Sequence, residues 1–184
     1  FLYFQQVGIV SRSFADRELV QAIRHLEAVG YGDRAATIYR SLAETLTNPA
    51  EIALLAGLAE QNGEHQLALQ IGKTAASRGM AVDSLAFPTA AIPAGARTPS
   101  VEKPMVYAIA RQDSDFNPQA VSRAGARGLL QLMPATAKQV AKSIGVNYSK
   151  DRLTSDPAYN ATLGAAHLGD LVDDFGGSYV MTFA

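Results

Sequence analysis

The chain has 184 residues, 48% hydrophobic and 18% charged, with a formal net charge of −1. This balance fits a soluble globular protein of one or two domains and gives no electrostatic case for nucleic acid or an anionic membrane. With no cysteine, disulfides and thiolate metal sites are excluded, and no apolar run is long enough to span a bilayer.

The opening "FLYFQQVGIV" lacks the charged region and cleavage site of a signal peptide. Both it and the closing "GGSYVMTFA" read as chain already inside a structural element, so a fragment of a longer protein is expected. Between them the periodic stretches are helical and strands have no comparable signal; the expected class is all-α. Leu19, Ala22, Ile23 and Leu26 form the first apolar stripe, with Asp16 as its cap. Ala35, Ile38, Tyr39 and Leu42 form the second. Ile52, Leu55, Leu58 and Ala59 form the third, opened by Pro49, and Leu67, Ala68, Ile71 and Ala75 the fourth. "GDRAATIY" and "GEHQLALQI" each open a helix after a glycine, about one helical-hairpin repeat apart, which points to stacked helix pairs over residues 1–78.

Residues 79–103 differ. Pro88, Pro93, Pro99 and Gly95 preclude a long helix, making this the expected domain boundary. The apolar pieces around Phe87 and Ile92 suggest a segment packed along a surface. A second domain is expected over 104–184. Pro104 opens a helix whose stripe runs Met105, Ile109 and Asp113. Pro134 opens another, with Ala137, Val140, Ala141 and Ile144 facing inward and Gly145 as its stop. Asp156 caps and Pro157 opens the longest helix, with Leu168, Leu171, Val172 and Phe175 as its buried face, ending at Gly176-Gly177; a last helix begins near Ser178.

Two stretches could carry chemistry. In "IARQDSDFNP", Asp113 continues an apolar face near the carboxyl end of a helix. Burial and the helix dipole both disfavour its charged form, and a carboxylic acid kept protonated near neutral pH is what a general acid requires. The competing reading, which the pattern by itself favours, is a partly exposed aspartate capping the turn that follows. Asp115 fixes that turn, Phe116 is core, and Asn117-Pro118 is a turn signal. In "SRAGARGLLQLMPATA", Gly125 and Gly128 let the backbone turn sharply and approach a ligand closely. Gln131 is an amide in an apolar run; its partner is either a sugar hydroxyl or N-acetyl group or the backbone of its own loop. Met133 packs on a sugar face or on the core. His25, His65 and His167 are scattered, and no metal-ligand spacing or phosphate-binding glycine loop occurs. "NYS" at 147 and "NAT" at 160 match the glycosylation pattern, which arises often by chance; Asp173-Asp174 reads as a solvated face.

"YAIARQDSDFNPQAVSRAGARGLLQLMPATA" resembles the catalytic domain of the soluble lytic transglycosylases, lysozyme-like enzymes that cleave bacterial peptidoglycan. The family's Ser-x-x-Gly-Ala-x-Gly-Leu-x-Gln-x-x-Pro-x-Thr-Ala pattern is matched by Ser122, Gly125, Ala126, Gly128, Leu129, Gln131, Pro134, Thr136 and Ala137. Its Leu-x-Asp-Pro-x-x-Asn-x-x-x-Gly segment is matched downstream by Asp156, Pro157, Asn160 and Gly164. The resemblance covers roughly residues 100–184, and the earlier helices look like the solenoid that precedes this domain in large periplasmic members. It implies a lysozyme-like domain, incomplete at its carboxyl end, and a Gram-negative periplasmic setting. No cofactor or metal is implied. The implied partners are peptidoglycan glycan strands, with cell-envelope proteins as further partners.

The implied reaction cleaves the β-1,4 bond between N-acetylmuramic acid and N-acetylglucosamine. One carboxyl group protonates the linking oxygen and, as carboxylate, takes the proton of the muramic 6-hydroxyl as a 1,6-anhydro ring closes; no second carboxylate acts as nucleophile. Asp113 stands where the family has its catalytic glutamate. Ser114 would orient the acid or contact substrate, and Gln131, with Gly128, Leu129 and Met133, would hold the sugar. Aspartate is shorter by one methylene, so weakened or absent catalysis is expected. The alternatives are a catalytically inactive glycan-binding or scaffolding relative and a hydrolytic lysozyme.

Overall fold

A computed structural model describes residues 10–82, 85 and 90–182; the expectation for Phe87 lies outside them. The chain divides into two compact units, Phe1–Pro88 and Thr89–Ala184. Helices are the only regular elements among the described residues, apart from the isolated bridges Val121 to Arg127 and Arg127 to Leu132.

In the first unit, residues 10–15 are helical, followed by α1 (Glu18–Ala28), α2 (Gly32–Thr45), α3 (Pro49–Gln61) and α4 (His65–Ser77). α1 packs on α2, and α4 packs on both α2 and α3. Ile23, Tyr39, Ile52, Leu55 and Ile71 fill the core. Pro49 sits in the first turn of α3, and the Asn48 side chain accepts the Ala50 N–H at 2.9 Å, capping it. α1 departs from the sequence reading. Arg17, not Asp16, precedes it, and its buried residues are Val20 and Ile23, while Leu19 is 47% exposed. Two polar pairs tie the helices. Arg17 Nε and Nη2 donate to the carboxylate of the buried Glu51 at 2.9 and 3.0 Å, and Asn62 Nδ2 donates to the Tyr39 hydroxyl at 3.1 Å. Burial, above all, pushes that phenol's pKa up to about 12.

The second unit contains α5 (Lys103–Ser114), α6 (Pro134–Ser143), α7 (Arg152–Ser155), α8 (Pro157–Asp174) and α9 (Tyr179–Thr182). α8 is central and contacts α5, α6, α7 and α9. Asp156 caps it by accepting the Tyr159 N–H at 3.0 Å, and Pro157 fits its first turn. The proline-rich stretch ahead of α5 lies along α8: the Arg97 N–H donates to Thr162 Oγ1 at 3.0 Å.

Three apolar faces differ from the sequence reading. Ile144 is 40% exposed, leaving Ala137, Val140 and Ala141 as the buried face of α6. In α8, Phe175 is 44% exposed and Leu171 and Val172 are half-buried. Its buried face is instead Tyr159, Asn160, Ala161, Leu163, Gly164, Ala165, Leu168 and Gly169. α5 differs in the same way, and that shift decides where Asp113 points.

Candidate active site

The buried face of α5 is Val106, Ala110 and Ser114. The stripe Met105, Ile109 and Asp113 lies one residue round the helix: the first two are half-buried and Asp113 is exposed. Asp113 therefore does not continue the core. It projects from the helix's last turn, and the surrounding protein shades its carboxyl enough to raise its pKa from the ordinary value by desolvation. α5 ends because the next two residues are left-handed, Asp115 at φ 52° and Phe116 at φ 61°. The Phe116 N–H returns to the Ala110 carbonyl at 3.2 Å, and its ring is 3% exposed, edge-on to Tyr107 at 6.0 Å. Asn117 Oδ1 accepts the Gln119 N–H at 2.9 Å and shapes the turn.

Ser114 is buried, and its Oγ lies 3.0 Å from the Ala110 carbonyl and 2.8 Å from the Leu129 carbonyl. A hydroxyl carries one proton, so these oxygens share it. Through Ser114 the residue beside Asp113 is tied to loop 127–132. Within that loop the Leu129 side chain is only 1% exposed, and Gly128 is left-handed at φ 76°. The close approach Gly128 permits is to protein: a Cβ there would collide with the Leu153 carbonyl and the Asn160 amide. Gln131 takes φ 39°, and its Nε2 donates to the Gly128 carbonyl at 2.8 Å and to Ala120 at 3.3 Å. Of the two partners open to it, the loop backbone holds its donor side, and Oε1 is an acceptor. Met133 follows at the entry to α6, 42% exposed and outside the core.

Asn160 holds the loop from the other side. Fully buried on α8, it donates through Nδ2 to the carbonyls of Arg127 (2.9 Å) and Leu153 (3.0 Å) and accepts the Leu130 N–H at Oδ1 (2.9 Å). One turn on, Gly164 leaves room for the Leu130 side chain, which a Cβ would strike. The sequence shows this asparagine only as a motif position and a chance glycosylation match; at 0% exposure it is closed to modification. No cluster of three or more His, Asp or Glu side chains that could hold a metal ion occurs among the described residues. His65 instead pairs with Glu60 at 3.0 Å, and His25 Nδ1 lies 2.8 Å from the Gln21 carbonyl.

This arrangement, an exposed carboxyl at a helix end whose next residue, Ser114, is bonded to a loop that Asn160 holds from α8, coincides with a family match. The Transglycosylase SLT domain matches residues 74–184. The chain belongs to that family. Among curated proteins it is similar to the soluble lytic murein transglycosylase of Escherichia coli K12, 37% identical over 90 residues, or 47% of this chain and 14% of the relative. The corresponding protein of Salmonella typhimurium is 32% identical over 89 residues, covering 48% and 14%. The chain thus spans about a seventh of these SLT-domain relatives.

Among solved structures, an inactive mutant of the lytic transglycosylase Slt from Pseudomonas aeruginosa, with glutamate replaced by glutamine, matches with a TM-score of 0.69 and 26% identity. The match covers 95% of this chain and 28% of that one. The 70-kDa soluble lytic transglycosylase of Escherichia coli shares the fold, with a TM-score of 0.67 and 24% identity over 92% of this chain and 28% of that one. The SLT-domain chain is accordingly all-α and lysozyme-like.

Proposed function

We propose that this chain acts on the glycan strands of peptidoglycan in the Gram-negative periplasm as a lytic transglycosylase. Asp113 is its acid and then its base, and its rate is low. The observation that supports this reading is the Ser114 Oγ to Leu129 carbonyl bond of 2.8 Å, which ties the helix end next to Asp113 to loop 127–132. The raised pKa of Asp113 favours the protonated form that must donate its proton first. An inactive glutamate-to-glutamine mutant of the Pseudomonas relative accords with a reaction that needs a carboxyl group.

The acid protonates the oxygen between N-acetylmuramic acid and N-acetylglucosamine, and the resulting carboxylate removes the muramic 6-hydroxyl proton as the 1,6-anhydro ring closes. Gln131 offers Oε1 to a sugar hydroxyl or N-acetyl N–H, and Met133 offers an exposed apolar surface to a ring face. Gly128 and Leu129 contribute backbone, and Ser114 orients the helix end through its tie to the loop. Residues 1–78 form a helix-pair solenoid, 79–103 a connecting segment and 104–184 the catalytic domain, with cell-envelope proteins as further partners.

The exposure of Asp113 and its missing methylene, about 1.5 Å of reach, favour a second reading: a protein that binds glycan without cleaving it. Incubation with purified peptidoglycan distinguishes them. Asp113→Glu is expected to raise the yield of 1,6-anhydro muropeptides by about a hundredfold. Absence of product from both forms removes the enzymatic reading, and reducing-end products in their place indicate hydrolysis.

A further inference from the structure

We propose that Asn160 is a positioning residue of this site: from α8 it sets where loop 127–132, with Gln131, stands against the helix end that carries Asp113. The inference rests on the reading of Asp113 and Gln131 as acid and sugar-holding amide.

Every polar atom of the Asn160 amide is spent on that loop or its support. Two N–H groups go to the carbonyls of Arg127 and Leu153, and one lone pair goes to the Leu130 N–H. The two carbonyls require donors, which fixes the orientation of the amide. The side chain is 0% exposed, so water cannot replace a lost bond. The loop is bonded at Arg127 and Leu130 from α8 and at Leu129 from Ser114 on α5. Three adjacent contacts from two helices leave it little freedom, and Gln131, at φ 39°, follows directly. Gly128 and Gly164 have no Cβ because the loop lies against Asn160 on one side and Leu130 lies against α8 on the other. An aspartate at this position would keep the acceptor for Leu130 but turn lone pairs and charge toward two carbonyls; an acid proton would restore one donor.

The test is Asn160→Asp, read against the parent chain and against Asp113→Glu in the same preparations. At neutral pH the substitution is expected to lower kcat by about a hundredfold, with a smaller change in KM, in whichever background turns over. It should also speed amide exchange of Leu130 and Gln131, measured by mass spectrometry without glycan, by on the order of tenfold. At about pH 5 the new carboxyl, held neutral between carbonyls, should recover part of kcat and of the protection relative to the parent at the same pH. Asn160→Ser, which keeps one donor and one acceptor, is the second variant, expected to lose less at neutral pH and to show no acid recovery.

A kcat that falls by one factor at every pH, or that tracks the folded fraction alone, overturns the proposal, as does exchange over 127–132 identical to the parent's. If neither parent nor Asp113→Glu turns over, the enzymatic reading fails by itself. The exchange measurement then still decides whether Asn160 positions the loop.

Discussion

The helices of Glu18–Ser77 and the region around Asp113 carry unusual backbone differently. In the first, the left-handed residues described are all glycines, Gly30, Gly63 and Gly79, and a Cβ at any of them would meet nothing within 4 Å. In the second, Asp115, Phe116 and Gln131 hold φ of 52°, 61° and 39°, a cost of about 1–3 kcal/mol each that persists only where the surroundings over-determine the chain. The polar bonds also differ in use, although Arg78 Nη1 donates to the Ala43 carbonyl at 2.6 Å in the first region. Arg17 to Glu51 and Asn62 to Tyr39 join side chain to side chain and hold helices together. Ser114, Gln131 and Asn160 bond side chain to main chain and dictate the path of a loop. The helical stack needs helices in contact, which apolar burial supplies. The site needs particular backbone atoms in particular places, and strain is concentrated there.

A matched pair of glycine substitutions tests that contrast most sharply. Gly63→Ala adds a Cβ in open space, so its cost is the left-handed backbone alone, about 1 kcal/mol. Gly128→Ala carries the same backbone cost and drives a Cβ into the Leu153 carbonyl and the Asn160 amide. Neither is the yielding tip of a flexible side chain, and a total of about 3 kcal/mol or more is expected. Urea denaturation of the two variants measures the difference. Equal losses would mean that the loop yields, and the contrast between the regions would collapse.

The side-chain pairing of the helical stack has its own test. The Arg17 side chain is 44% exposed and that of its Glu51 partner 9%. Solvent screening limits the gain from the ion pair, but removing the arginine leaves a carboxylate buried without its donors. Arg17→Ala is expected to cost about 1–2 kcal/mol, and Glu51→Gln in the same chain to recover part of it. A double-mutant cycle by thermal unfolding reads the coupling. Simple additivity would show the pair to be incidental to the stack.

Helical class and the helix starts at Pro49 and Asp156 were legible in the sequence because 3.6-residue periodicity and cap chemistry act locally; the stretches proposed for the site stood out by motif resemblance. Orientation was less so. In α5 the stripe drawn through bulky residues lies beside the true buried face, and in α1 and α8 it meets that face only at Ile23 and Leu168; in α5 and α8 the face runs through Ala110, Ser114, Ala161, Gly164, Ala165 and Gly169. Small residues mark where backbone comes close, and a hydrophobic pattern gives them little weight. This is why Asp113 reads as inward-facing when it is exposed. The work of Ser114 and Asn160 was out of reach for a different reason: their partners in loop 127–132 lie 15 to 33 residues away and are carbonyl or amide groups, which every residue carries and no pattern distinguishes.

The smallest expected effects are in acid titration, where two aspartates of the second unit should act in opposite senses. The Asp156 carboxyl is held below its ordinary pKa, first by the Tyr159 N–H and then by the Arg152 side chain. Its stabilisation is present above the unfolded pKa and is lost as pH falls through the folded one. Asp156→Ala should therefore cost about 1 kcal/mol at neutral pH and nothing in strong acid. Asp113 is raised by desolvation, so the folded chain holds its proton more tightly than the unfolded chain does. Its contribution favours folding below the unfolded pKa and disappears as pH rises through the folded value. Asp113→Asn should match or slightly exceed the parent at neutral pH and lose that advantage as pH falls. Because the side chain is exposed, this shift should be the smaller of the two. Thermal midpoints of parent and both variants across the acid range decide it. If the Asp113→Asn difference follows the sign of Asp156→Ala, charge stabilises Asp113 in the fold, and the case for a proton-holding acid at this helix end is lost.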